Sequence, residues 1–330
     1  LHELNWQEID INTKDENGFT ILHYAAQAGS LDAIKLLKEA KADFTIPTKL
    51  GNSVLHIAAE NNRSEVVKYL IQEKLVDIRA KNNKDYKALD VAASCGHCAS
   101  AKLLLEKGNN ASSNGNFDMS PLFRAFNKGH LEIVNLIIEE AKKFNEKYTK
   151  KYTPLHFAAI NNNSNLAEYL IKQGADIINA QDNDGWTPLH FAAKVGSLGV
   201  IKFLKEAKAN FKIPTNHGNS VLHIAAENNH RDVVEYLIQE KLVDIDAKNN
   251  KGYKAVHCAA KGGSLDVIKF LKKAKADFNS LTKLGNSVLH IAALNNRPAV
   301  IEYLINENLA DINAQDNDGW TPLHWAAYNG

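Results

Sequence analysis

The stretch GNSVLHIAAENN fills residues 51–62, returns letter for letter at 218–229, and returns at 285–296 with Leu294 in place of glutamate. A chain that writes twelve residues three times is assembled from copies, so its period is the first thing to establish. Aligned on the Leu-His step, the chain comes into register at Leu22, Leu55, Leu89, Leu122, Leu155, Leu189, Leu222, Val256, Leu289 and Leu323, each 33 or 34 residues after the last. No spacer interrupts the series. Residues 1–330 are therefore expected to form a single continuous domain of ten units, with residues 1–17 as a lead-in or cap, helical at its start, and the tenth unit cut short. The expectation at the far end is that the natural protein continues past Gly330.

Each unit carries the same local instructions. A tight turn ends in glycine (Gly51, Gly185, Gly252), where a positive φ is needed. A Ser or Thr suited to capping a helix follows in eight units: Thr20, Ser53, Ser120, Thr153, Thr187, Ser220, Ser287 and Thr321. Pro121, Pro154, Pro188 and Pro322 stand at the first helical position, where a missing N–H costs nothing. The short helix reads Leu-His-x-Ala-Ala, and its alanines let a neighbouring helix approach. It is stopped by Gly29, Gly96, Gly129, Gly196, Gly263 and Gly330, or by Asn62, Asn162, Asn229 and Asn296, the two residue types that best accept a left-handed conformation. A second helix has apolar residues three and four apart, as in Leu198, Ile201, Leu204 and Ala207. A strand-like DINAQDNDG leads on to the next tip.

DGWTPLHFAA (184–193) and DGWTPLHWAA (318–327) resemble the ankyrin repeat, whose signature is about 33 residues carrying T-P-L-H-x-A. The resemblance extends over residues 9–330. It implies an all-α solenoid of helix–turn–helix units with β-hairpin-like fingers, stacked in a curved array. The residue pattern agrees, because one unit cannot bury both faces of its helices and stacking must supply the core. A longer period lies above the first: residues 201–229 match 34–62 at 24 of 29 positions, and INAQDNDGWTPLH occurs at 178–190 and 312–324, which marks a two-repeat block as the copied element.

Composition narrows the function. Net charge is +1, with 39 basic and 38 acidic residues interspersed, so no phosphate-neutralising surface and no nucleic-acid partner is expected. No apolar run reaches the roughly 18 residues a membrane span requires, so no membrane insertion is expected. Three cysteines do not make a disulfide framework and suit a reducing, cytoplasmic or intracellular setting. Lysines outnumber arginines 34 to 5 and asparagine accounts for 37 residues, a bias of AT-rich coding. An endosymbiont's host-directed effector, working in host cytosol or nucleus, fits that bias.

Candidate chemistry dissolves in the repeat frame. His23, His56, His156, His190, His223, His257, His290 and His324 recur once per unit, roughly 10 Å apart, a ladder too open for one metal ion. Buried histidines bonding the backbone of the turn are expected instead. Cys95, His97 and Cys98 have C-x-x-C spacing, yet Gly96 is the helix stop and Cys98 holds the place of a leucine. Only Cys95 is expected to face outward. No phosphate loop, nucleophile elbow or H-E-x-x-H occurs. No enzyme activity, cofactor, metal or small-molecule substrate is expected. The fourth unit departs most, with Phe123 and Phe126 for His and Ala and a basic exit through Lys142, Lys143, Lys147, Lys150 and Lys151.

In ankyrin-like arrays, partners meet the finger tips and the exposed end of the first helix. The resemblance places the tips at Phe19, Asn52, Tyr86, Met119, Tyr152, Trp186, Asn219, Tyr253, Asn286 and Trp320. In units three to five Asp85, Asp118 and Lys151 stand where other tips have glycine. Seven tips are aromatic or Met, and they are expected to be exposed contact residues, with packing on the adjacent finger as the alternative. The candidate protein-binding set is Trp186, Trp320, Tyr253, Tyr86, Phe19, Asn183, Asp184, Lys194, His217, Glu227, Leu294 and Asp318. The expected function is a protein–protein interaction scaffold. A recruiting segment of a larger effector or toxin, and a structural tether, are the alternatives.

Overall fold

The structure, a computed structural model, describes residues 10–108, 117–147, 152–174 and 177–329. It forms two compact units, Leu1–Lys150 and Lys151–Gly330. The lead-in helix expected at the start of the chain lies outside the described residues.

In the first unit, α1 (Ile21–Ala28), α3 (Val54–Glu60), α5 (Ala88–Cys95) and α7 (Ser120–Asn127) pack side by side as an inner layer. Behind them stand α2 (Leu31–Glu39), α4 (Ser64–Gln72), α6 (Cys98–Lys107) and α8 (Leu131–Lys147). The second unit repeats the plan. Its inner layer is α9 (Pro154–Ile160), α11 (Pro188–Val195), α13 (Val221–Glu227), α15 (Ala255–Gly262), α17 (Val288–Leu294) and α19 (Pro322–Tyr328). Its outer layer is α10 (Ser164–Gln173), α12 (Leu198–Glu206), α14 (Arg231–Gln239), α16 (Leu265–Lys273) and α18 (Pro298–Asn306).

The paired alanines make the inner seam. Ala58, Ala59, Ala92, Ala93, Ala225, Ala226, Ala259 and Ala260 are wholly buried where inner helices meet. Branched residues fill the space between layers: Ile201 and Leu204 as the spacing predicts, and Val233, Val234 and Leu237 one unit on. Truncating such a leucine to alanine costs about 2–5 kcal/mol, most where stacked neighbours cannot collapse into the gap.

The stop signals act as the sequence predicts. Gly29, Gly96, Gly129, Gly196 and Gly263 have φ between 72° and 81°, and Asn62, Asn162, Asn229 and Asn296 between 51° and 58°; Gly330 lies outside the described residues. Five of the second helices stop in the same conformation on residues that carry no such signal: Lys41, Lys74, Lys208, Lys241 and Lys275, all near φ 60°. The backbone closes those ends, as when the Ala42 N–H donates to the Leu37 carbonyl at 2.9 Å.

The fingers are hairpin-like without extended strands: among the described residues each is a tight turn closed by backbone hydrogen bonds, as when the Asp182 N–H donates to the Trp186 carbonyl at 2.8 Å. The basic exit of the fourth unit begins as helix: α8 continues through Lys142 and Lys143 to Lys147, 17 residues in all. Losing the Asp/Asn turn former removes the instruction to stop, and Glu139–Lys142 and Glu140–Lys143 pairs support the extra turns. Lys150 and Lys151 lie outside the described residues.

Candidate functional site

The fingers are shaped by one short side chain each. Asp182 Oδ1 accepts the backbone N–H of Asp184 at 3.0 Å and of Trp186 at 2.8 Å. Asp15, Asn82, Asn249 and Asp316 do the same in their own fingers. Such a side chain mimics a backbone turn and leaves the following residues at the tip. Asp85, which replaces the turn glycine, takes up the same left-handed conformation at φ 63°, as aspartate can.

Successive fingers are clipped together by asparagine. Asn216 donates its backbone N–H to the Asp184 carbonyl at 3.0 Å and its Nδ2 to the Asn183 carbonyl at 3.1 Å. Asn83, Asn250 and Asn317 repeat the clip. The clip explains the glycine beside it. A Cβ on Gly185 would come within 2.5 Å of Asn216 Oδ1.

The histidine ladder ties finger to helix. In the second unit the Thr187 N–H donates to His190 Nδ1 at 3.0 Å, and the Thr153 N–H to His156 Nδ1 at 3.0 Å. With Nδ1 accepting, the proton sits on Nε2, which in four repeats donates onward to the next tip. His56 reaches the Tyr86 carbonyl, His156 that of Trp186, His223 that of Tyr253 and His290 that of Trp320, at 2.8–3.0 Å. Burial pushes His156, His190 and His257 down to about 4. These rings are neutral and structural, as the spacing implied: His156 and His257 tie onward to the Trp186 and Ser280 carbonyls, whereas His190 holds the Thr187 N–H alone and its Nε2 is buried without a partner. His324 is exposed.

The first unit abandons the ladder at its third and fourth repeats. Asp90 holds the histidine position and accepts the Lys87 N–H at 2.9 Å. Arg124 Nε donates to Asp90 Oδ1 at 2.8 Å, and its guanidinium lies 3.5 Å from the Tyr86 ring centroid. Lys87 pairs with Asp118 at 2.7 Å. Burial raises the Asp90 carboxyl above its ordinary value even against Arg124. Burial also pushes Asp118 up, but the Lys87 ammonium and the Ser120 N–H outweigh it and hold that carboxyl low. Phe123 and Phe126 are half-buried.

The tip side chains are not free spikes. Phe19, Tyr86, Tyr152, Trp186, Tyr253 and Trp320 are all half-buried, and Met119 is buried. Each of these aromatics other than Tyr86 leans on the histidine four residues later, at centroid distances of 5.3–6.0 Å. Trp186 also meets Phe191 at 5.2 Å, and Trp320 meets Trp325 at 4.9 Å. The expectation of exposed tips is corrected: a large ring at a tight turn folds back over its own inner helix and stays half-buried.

The remaining sequence candidates occupy the same side as the tips. Asn183, Asp184, His217 and Asp318 are exposed on the fingers. Lys194, Glu227 and Leu294 stand on inner helices, four residues past the ladder histidine. Lys194 Nζ lies 5.5 Å from the Trp186 centroid, while Glu227 pairs with Lys261 at 2.7 Å. His217, Glu227 and Tyr253 meet around a half-open pocket of about 280 Å³. A counterpart of about 220 Å³ in the first unit is walled by Glu60, Tyr86 and Ser94. Lys261, Glu60 and Ser94 were missed as candidates, although all hold the position of Lys194 and Glu227 in the repeat frame.

His97 Nε2 donates to the Glu60 carbonyl at 2.9 Å, a backbone tie between adjacent repeats. Cys95 is exposed and Cys98 half-buried, as the frame requires, and burial raises both thiols. Among the described residues no three His, Cys, Asp or Glu side chains gather as a metal-binding group, and no helix is long and apolar enough to cross a membrane.

A family model described as ankyrin repeats (3 copies) matches residues 40–114, 89–179, 122–215, 178–250, 207–282 and 256–330. Another, described as ankyrin repeats (many copies), matches residues 1–37. Among curated proteins, the chain is 25% identical to ankyrin repeat protein L371 of Acanthamoeba polyphaga mimivirus, over 98% of this chain and 46% of that protein. It is 24% identical to the human transient receptor potential cation channel subfamily A member 1, over 97% of this chain and 30% of the channel. Alpha-latrocrustotoxin-Lt1a of Latrodectus tredecimguttatus is 31% identical over 73% of this chain and 20% of the toxin. The chain thus spans less than half the length of each of these relatives.

Proposed function

The chain belongs to the ankyrin-repeat family, and from that premise we propose that it is a non-catalytic scaffold recognising a protein partner on its finger and inner-helix face, with residues 1–330 acting as one array. One observation carries the reading. Positions that build the stack repeat the same residue, whereas the position four past the ladder histidine changes at nearly every step. It reads Gln27, Glu60, Ser94 and Asn127 in the first unit, then Ile160, Lys194, Glu227, Lys261, Leu294 and Tyr328 in the second. None of these ten side chains is buried, while the paired alanines between them are buried in most repeats. Side chains there can change without cost to the stack, so specificity can be written on that row.

Partner contact on this face suits the half-buried aromatics, which offer a rigid ring surface beside charged and apolar neighbours. A photo-crosslinking residue at Lys194, Glu227 or Leu294, compared with the outer-helix positions Asp232 and Asp266, tests the proposal in lysate. Discrete protein adducts from the inner positions, lost in Lys194→Glu/Leu294→Lys at unchanged melting temperature, are expected. Equal labelling from both faces would remove the reading. A second reading, a recognition segment within a longer effector or toxin, is favoured by the small share of the toxin that the chain matches. The full-length sequence decides it.

A further inference from the structure

The two units carry equivalent pockets that differ at one telling position. Asn219, Glu227, Asn249, Tyr253 and Lys261 line the pocket of the second unit. Asn52, Glu60, Asn82, Tyr86 and Ser94 line that of the first, each 167 residues earlier than its counterpart. The walls are built alike. Asn82 Nδ2 donates to Asn52 Oδ1 at 2.8 Å, and Asn249 Nδ2 to Asn219 Oδ1 at 2.7 Å. In the second unit the carboxylate is already answered, with Lys261 Nζ 2.7 Å from Glu227 Oε1.

The first unit has the carboxylate without the ammonium. Ser94 replaces the lysine, and among the described residues Glu60 has no ion-pair partner. Nearby cations are otherwise engaged: Arg124 with Asp90 and Lys81 with Asp85. Lys84 stands on the rim, but its counterpart Lys251 stands on the other rim in the same way while Glu227 pairs with Lys261 instead. Among the described residues Lys84 makes no ion pair with Glu60.

We infer that the Glu60 pocket receives the ammonium of a lysine side chain from a protein partner, in the place that Lys261 fills in the second unit. The inference rests on the reading of this face as the partner surface and adds the chemistry of one contact. An ammonium there gains a carboxylate and the Asn52 carboxamide beside it, while the Tyr86 ring, its face covered by Arg124, serves only as a wall. The second pocket supplies its own lysine and is closed to a second one by like charge.

The reciprocal exchange tests this directly. The probe is N-acetyl-lysine methylamide, with the norleucine analogue as neutral control, titrated against the whole chain and read by amide shifts in two-dimensional NMR. Saturable shifts at Gly51, Glu60 and Tyr86 are expected with the lysine probe only. They should weaken at least tenfold in Glu60→Gln and vanish in Ser94→Lys, where the chain fills its own pocket. Lys261→Ser should open a second site, with new shifts at Gly218, Glu227 and Tyr253. Absence of saturable shifts, or shifts that survive Glu60→Gln, overturns the inference. Loss of inner-face crosslinking would remove the scaffold reading but leave these shifts in place, so the two failures are distinguishable.

Discussion

The two units solve one packing problem with different chemistry. In the second, neutral histidines cross-tie finger to helix, buried deeply enough that their basicity collapses. In the third and fourth repeats of the first, a charged set does the work, with Asp90 on Arg124 and Lys87 on Asp118. Neutral ties keep the same geometry through a neighbouring copy, whereas charged ties hold only with the right partner one repeat on. A ladder is therefore easy to duplicate. A charge pair marks a junction that must stay as it is.

Acid offers the largest test of that contrast. The folded values of His156, His190 and His257, about 4, lie below the ordinary 6.5, so between those limits the unfolded chain binds more protons than the folded one. Their contribution is fully present above pH 6.5 and is lost as pH falls toward 4, on the order of 3 kcal/mol for each ring. Asp90 has the opposite sign, because its raised value favours the folded state as the carboxyl protonates. Hydrogen exchange corrected for intrinsic rate should show α9, α11 and α15 opening far faster at pH 4.5 than at pH 7, and α5 changing little. Uniform loosening of both units would break the comparison.

Arg124→Ala is the next largest effect. It strands a buried carboxylate and uncovers Tyr86, and should cost roughly 3 kcal/mol by chemical denaturation. Asp90→His with Arg124→Ile installs the residues found at His56 and Ile57, and should recover a large part of that loss. If the double substitution is no better than the single, the charged junction is not a substitute ladder. The smallest effect is expected of Asn250→Ala. It removes one clip between exposed fingers and should cost about 1 kcal/mol, with faster exchange confined to the Gly218 and Gly252 turns.

Most of the inner layer was legible before any coordinates. Leu-His-x-Ala-Ala, the capping Ser or Thr and the Gly or Asn stops are local instructions, and the backbone obeys them at Gly29, Asn62 and their counterparts. The second-helix stops at Lys41 and Lys208 were not legible, since lysine has no preference for that conformation and the closing hydrogen bond alone imposes it. The candidate face was half legible. Lys194, Glu227 and Leu294 came from the repeat frame, while Glu60, Ser94 and Lys261 went unnoticed because their meaning lies in a pair of side chains 34 residues apart.

The sequence by itself determined the period, the helix–turn–helix unit, the structural role of the histidines and the family. All of these follow from residues within one repeat, or from copies compared with one another. Only the tertiary structure decided that the tip aromatics fold back as half-buried platforms, that Arg124 is held by Asp90 while Glu60 has no ion pair among the described residues, and that asparagine clips the fingers. Each depends on what the adjacent repeat places within a few ångströms, and the letters of a single repeat do not record that distance.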